Sequence, residues 1–295
     1  MIYKQTKSDT LLDFAIYIAL SFVLLITLYP LIFILSASIS NPVDVLQGKV
    51  WLWPKGLNFE AYTRVFQNKD IIVGFRNTII FTVLGTAFNL LMTTLGAYPL
   101  SRKDLFGRNK ILLFFTLTMF FSGGLIPTYL VIKQLGLFNS PLVMIIPGAV
   151  TVWNLIIMKT YFQTSIPYEL QEAAFIDGCS NTKVLTKVIL PLSLPIVAVM
   201  VLFYGVGHWN AFFNALIYLN DRSMFPLQLI LREILIQNQM QDMLNSGVEI
   251  SEKQLMMVES IKYSVIVVSS IPVLLLYPLL QRYFVKGVMI GAIKG

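Results

Sequence analysis

Charge is what this 295-residue sequence has least of: Asp, Glu, Lys and Arg make up 13% of it. An ordinary soluble domain carries about 25%. So little charge cannot cover a water-facing surface, which excludes a soluble enzyme and an intrinsically disordered chain alike. A single cysteine, Cys179, excludes internal disulfides and any multi-thiolate metal site. A single histidine, His208, leaves little for histidine-based catalysis or metal binding. No G-x-x-x-x-G-K-[ST] run occurs, and the Gly48-Lys49 pair is followed by Val50. The chain therefore has no P-loop with which to hydrolyse a nucleotide itself.

Apolar length takes the place of charge. Hydrophobic types make up 56% of the residues, and the mean hydropathy is +0.73. Uncharged stretches near the ~20 residues that cross a ~30 Å hydrocarbon core predict an all-α integral membrane protein with six transmembrane helices. These are about Leu11–Ile39, Ile71–Leu100, Ile111–Ile132, Leu142–Met158, Ile189–Leu219 and Tyr263–Gln281. No alternating ten-residue pattern suggests a barrel. Lys4, Lys7 and the small residues Ser36-Ala37-Ser38 faintly resemble a signal peptide. The apolar run between them is longer than such a segment needs, so 1–40 is read as a retained N-terminal transmembrane helix.

Loop charge sets the expected orientation. Arg102, Lys103, Arg108 and Lys110 face only Asp104 between the second and third spans, and Arg282, Lys286 and Lys294 follow the sixth with no acid. The 220–262 connection holds six acids against four bases. Basic loops stay inside, which places both termini in the cytoplasm and 220–262 outside. The net charge of +7 is thereby an orientation signal, and nucleic acid is not an expected partner.

The largest cytoplasmic connection, 159–191, reads as two helices joined by a sharp turn. Ser165 suits an N-cap, Pro167 a first turn, Glu169 the positive end of the dipole, and Gly178 a left-handed C′ position. Val184, Leu185, Val188 and Ile189 then form an apolar stripe that leads to Pro191. Three acids and no base on 168–178 fit docking against a partner better than a lysine-rich helix lying in headgroups.

Glu172-Ala173-Ala174, then Asp177-Gly178, then nine residues and Val188-Ile189-Leu190-Pro191 resemble the EAA loop of ABC-importer permeases. Val188 stands where that pattern has isoleucine. Phe120-Phe121-Ser122-Gly123-Gly124-Leu125-Ile126-Pro127-Thr128 is similar to maltose-type carbohydrate permeases. So are Gly207-His208-Trp209-Asn210-Ala211-Phe212-Phe213-Asn214-Ala215-Leu216 and Pro226-Leu227-Gln228-Leu229, the likeness falling in the LplC/YtcP-like oligosaccharide subgroup.

That resemblance implies a type I ABC-importer permease fold. Residues 71–282 would form the transmembrane core, with coupling loop 159–191 and extracellular loop 220–262, and 283–295 a cytoplasmic tail. It implies a permease subunit importing a carbohydrate by ATP-driven alternating access, itself not an enzyme and holding no cofactor or metal. ATP and Mg²⁺ would be bound by two cytoplasmic ATPase subunits. A second homologous permease (a heterodimer) and an extracellular solute-binding protein would complete the importer. The ATPase contact falls on Glu172, Ala173, Ala174, Asp177, Gly178, Leu190 and Pro191. Leu227–Leu235 reads as an amphipathic helix and Gln237–Gly247 as a polar, mobile stretch facing the binding protein.

Candidate substrate contacts are Asn154, Tyr204, Trp209, Asn210 and Asn214, with Trp153 nearby, because sugars are held by aromatic faces and amides. Asn210 and Asn214 are spaced as an i, i+4 pair. Interhelical hydrogen bonding is the competing reading of the same residues. A secondary transporter or channel would want paired intramembrane acids. Asp13 and Arg76, the charges in the spans, lie near their ends. A membrane-embedded enzyme would want a His/Asp/Glu cluster at membrane depth, which the sequence lacks.

Overall fold

The computed structural model describes residues 7–244, 261–279 and 281. Tail 283–295 and positions 245–260 of the sixth-span connection lie outside the described residues. The chain divides into two compact units, Met1–Lys69 with Leu231–Ser270, and Asp70–Ile230 with Ile271–Gly295.

In the first unit, α1 (Lys7–Ser38) is followed by two short helices, α2 (Pro42–Leu46) and α3 (Glu60–Gln67). Ser36, Ala37 and Ser38 are buried, with exposures of 5%, 1% and 0%. Ser36 Oγ donates to Leu52 O at 2.7 Å, and Ser38 Oγ meets the Tyr62 hydroxyl at 2.8 Å.

The second unit is organised along α4 (Lys69–Ser101). The third expected span is not one straight helix. It is α5 (Arg108–Phe120) and α6 (Leu125–Gln134), bent by 115° at Phe121–Gly124. Gly124 has φ +86°, a conformation that side-chain-bearing residues rarely adopt, so the run turns at its uncharged Ser122-Gly123-Gly124 stretch.

The fourth span also differs from expectation. Pro141–Met144 is a 3₁₀ turn, and the helix α7 runs Val152–Thr164, into the segment read as loop. Next come α8 (Tyr168–Ile176), α9 (Asn181–Leu192) and α10 (Leu194–Trp209), the last two meeting at 83°. Pro191 lacks the N–H that would bond Lys187 O, and its ring crowds that carbonyl. The widened π turn Leu185–Ile189 immediately precedes it.

The fifth expected span, 189–219, is therefore divided: α10 ends at Trp209 and α11 (Phe213–Tyr218) starts afresh. Helix α12 (Leu227–Leu244) continues beyond Leu235, where a mobile polar stretch was expected. The final helix, α13, covers Ile261–Leu279. The described residues contain no strand. Among the described residues, three helices (Ser8–Ser38, Lys69–Ser101 and Ile261–Leu279) are long and apolar enough to cross a membrane, or up to five spans if each bent pair counts as one.

Candidate functional site

Two places in the second unit gather polar side chains against an apolar background. The first is α8. Its half-buried and buried residues, Tyr168, Gln171, Ala174 and Phe175, fall on one stripe. Glu169, Glu172, Ala173 and Ile176 are exposed on another, with Ile176 86% exposed. Ile176 is thus a large apolar side chain held out beside the two acids Glu169 and Glu172. The two alanines have different surroundings: Ala173 is exposed, whereas Ala174 belongs to the core.

The helix end is built by backbone geometry. Cys179 N donates to Ala174 O at 2.9 Å and Gly178 N to Phe175 O at 3.0 Å, the paired bonds of a Schellman motif. Gly178 supplies the left-handed turn at φ +76°. Asp177 is the C-cap residue, and Cys179 packs on the core beside Ala174. The N-terminal reading needs correction: Pro167 occupies the N-cap position with no side-chain cap, and Ser165 instead closes α7. Leu190 packs partly against the core, and Pro191 is exposed on α9.

Ala174, Val184, Leu185 and Ile189 share one buried cluster with Tyr98 and Leu100 of α4, Met158 and Phe162 of α7, and Met200 and Tyr204 of α10.

The second place is a cavity of about 780 Å³. Asn154, Tyr204 and Asn214 line it, as do Trp153, His208 and Ala211. Trp209 and Asn210 do not. Trp209 is 5% exposed and packs edge-on against Phe75, with ring centroids 5.7 Å apart. Asn210 donates to Val206 O at 2.9 Å and accepts from Gln228 Nε2 at 3.4 Å. The helix break after Trp209 also means that Asn210 and Asn214 are not successive turns of one helix.

Asn89, absent from the sequence-derived candidates, joins the wall of this cavity. Its Nδ2 donates to Gly148 O and Ala149 O, both at 2.9 Å, where the chain runs unwound before α7. With both amide hydrogens so placed, Oδ1 is the acceptor from His208 Nε2 at 2.6 Å, which assigns the imidazole proton to Nε2. The ring lies over Gly85, where a Cβ would come within 2.4 Å of His208 Cε1. The Tyr204 hydroxyl is held by Thr93 Oγ1 at 2.7 Å, so only its ring faces the cavity freely.

No family model matches the chain, but individual relatives do. It is 39% identical to the protein LplC of Bacillus subtilis, over 99% of this chain and 97% of that protein. It is 41% identical to the Bacillus subtilis polygalacturonan/rhamnogalacturonan transport system permease protein YtcP, over 97% and 99% of the two chains. Among solved structures, a chain of a bacterial ABC transporter involved in the import of the acidic polysaccharide alginate matches with a TM-score of 0.84. That match is 32% identical and covers 96% of this chain and 99% of the other. The chain belongs to the sugar ABC-transporter permeases.

As a permease of this family it is a cell-membrane protein and a transport component. The permease's polar wall residues had a signal in the sequence. Asn77, Thr78, Thr86, Asn89, Thr93 and Thr94 recur along one side of an otherwise apolar helix, and all six are buried. Of these, Asn77 and Asn89 donate to backbone carbonyls of other segments and Thr78 accepts from Leu227 N.

Proposed function

We propose that this permease forms, with a second homologous permease, the translocation path of a binding-protein-dependent importer of an oligosaccharide. Two cytoplasmic ATPase subunits binding ATP and Mg²⁺ would drive it. The chain crosses the membrane six times with both termini inside: α1, α4, the α5–α6 pair, α7 with the turn before it, the α9–α10 pair, and α13. Helix α7 spans only about 20 Å on its own at the usual rise, so the preceding 3₁₀ segment completes that crossing.

The observation that carries the proposal is the outward stripe Glu169, Glu172, Ala173 and Ile176 on α8, ended by the left-handed Gly178. A short rigid helix seated in a groove of each ATPase pair follows those subunits when ATP brings them together. Because the inner face of α8 shares a core with the ends of α4, α7 and α10, the push becomes a rigid-body movement of those helices. The cavity walls built on α4 and α10 then alternate between inward and outward access. Asn154, Trp153 and the Tyr204 ring provide aromatic faces and an amide suited to a hydroxyl-rich saccharide. The names of YtcP and of the alginate importer support a polysaccharide fragment as cargo.

The test is Glu172→Lys in the intact assembly. The variant permease should insert normally, lose the ATPase subunits on affinity purification, and lose uptake of galacturonan and alginate oligosaccharides. Normal ATPase recovery with normal uptake would end the docking assignment.

A further inference from the structure

The residue that follows the last turn of α4 reaches across to α8. Arg102 donates from Nε to Asp104 Oδ1 at 2.8 Å and from Nη2 to Asp104 Oδ2 at 2.5 Å. Its Nη1 donates to the Tyr98 hydroxyl at 3.2 Å. Three bonds from three nitrogens fix the plane of the guanidinium. That plane lies on an aromatic ring: Arg102 Cζ is 4.6 Å from the centroid of Phe175. Lys103 repeats the contact two turns earlier on α8, with Nζ 5.2 Å from the centroid of Tyr168.

The junction is anchored on both sides. Gln163 Nε2, at the end of α7, donates to Ser101 O at 3.0 Å, and Arg108 Nη1 donates to Arg102 O at 3.2 Å. The Arg102 side chain is 13% exposed, while Asp104 is 56% exposed. An ion pair with one member half in water contributes little to stability by itself. What Asp104 does is aim the guanidinium. It also holds its own carboxyl below the usual carboxylate range through the Arg102 hydrogen bond, and the same bond raises the Arg102 pKa, so both stay charged.

We infer that Arg102 is a positioning residue for the coupling helix: its Asp104-held guanidinium grips Phe175 and so ties α8 to the end of α4. This rests on the reading of α8 as the ATPase contact, and it adds the link through which α8 acts. α4 is the helix whose middle carries Asn89 at the cavity wall and Thr93 on the Tyr204 hydroxyl, so a displacement of α8 is passed along it. Charge alone does not suffice for this. A lysine at 102 keeps the positive charge but has neither the bidentate fork nor the flat face.

The experiment uses the assembled permeases and ATPases in lipid nanodiscs, without added saccharide, and reads peptide-level hydrogen exchange over 168–179. Arg102→Lys should speed exchange there about fivefold, the shift expected from losing one cation–π contact of this kind. Phe175→Leu should match it, Phe175→Tyr should restore wild-type protection, and the Arg102→Lys/Phe175→Leu double variant should be no faster than either single. ATPase recovery and exchange over 194–209 should stay at wild-type levels in all of them. Unchanged exchange in Arg102→Lys, additive effects in the double, or loss of protection in Phe175→Tyr would each overturn the assignment. The two readings fail separately: Glu172→Lys reports on docking through ATPase recovery, and these variants report on the internal grip.

Discussion

Helices α1 and α4 have nearly the same length, 32 and 33 residues, and each contains a proline. Over its most apolar stretch, none of α1 is buried, whereas 33% of α4 is. In α1 a polar side chain such as Thr27 turns back on its own helix, its hydroxyl bonding Val23 O at 2.9 Å and Leu24 O at 3.0 Å. In α4 the polar side chains reach elsewhere: Asn77 Nδ2 to Ser223 O and Phe225 O, Asn89 to Gly148 O and Ala149 O, and Thr93 to Tyr204. Hydropathy reports that both helices prefer lipid to water. What separates them is whether the polar residues are solitary or periodic. Amides such as Asn89 let neighbouring chain run unwound, and the unwound stretch before α7 lines the cavity.

The largest effect should therefore come from the middle of α4. Asn89→Leu strands two carbonyls and the His208 Nε2–H, at about 1–3 kcal/mol for each buried group left unpaired. The purified permease should lose thermal stability clearly in detergent, and uptake should be abolished. A thermal midpoint equal to wild type would show that the ridge is not what holds the unwound segment.

Gly85→Ala comes next, and its sign is the informative part. Alanine favours an isolated helix by about 1 kcal/mol. Here its Cβ would lie 2.4–2.8 Å from three atoms of the His208 ring, and overpacking of that kind costs about 1–3 kcal/mol. The single variant should be destabilised, and Gly85→Ala/His208→Ala should recover much of the loss in the same melting assay. A stabilised single variant would mean that the ring leaves without cost.

Gly178 gives a smaller and more local effect. Nothing lies within 4 Å of a Cβ built there, so the cost of Gly178→Val is conformational, about 1–2 kcal/mol for a left-handed residue with a side chain. Core melting should barely change while ATPase recovery falls, and Gly178→Asn should do less harm than Gly178→Val because asparagine tolerates that region better. Equal recovery for glycine, asparagine and valine would remove the turn from the docking mechanism.

Gly178 also marks what a linear reading could reach. The turn between α8 and α9 was legible because its determinants are local: a left-handed glycine and a helical stripe on either side of it. The all-helical membrane class was legible from composition. The bends were not, since Phe121–Gly124 and Asn210–Phe212 carry no charge and lie between apolar runs, so a count of span length reads straight across them. Trp209 and Trp153 show the same limit at the cavity. Both are aromatic residues beside asparagines, but Trp209 closes on Phe75, whereas Trp153 is 58% exposed at the cavity wall. Which side of a helix faces a cavity depends on partners distant in sequence. Asn89 was overlooked for that reason, although its period with Thr86 and Thr93 was present to be counted.

The smallest effect tests the other half of the comparison. Leu24 in α1 is 56% exposed, and Met158, on α7, is 0% exposed. Truncating a buried Met to alanine costs about 2–5 kcal/mol, whereas a change at a site without packed neighbours usually stays within about 0.5 kcal/mol. Leu24→Ala should therefore leave the melting of the isolated permease at its wild-type value, while Met158→Ala lowers it sharply. Repeating both in the assembled importer sharpens the contrast. If Leu24→Ala becomes costly only there, α1 packs against another subunit. If it is costly already in the isolated chain, α1 is held by its own fold, and the division between a lipid-borne helix and an organising helix fails.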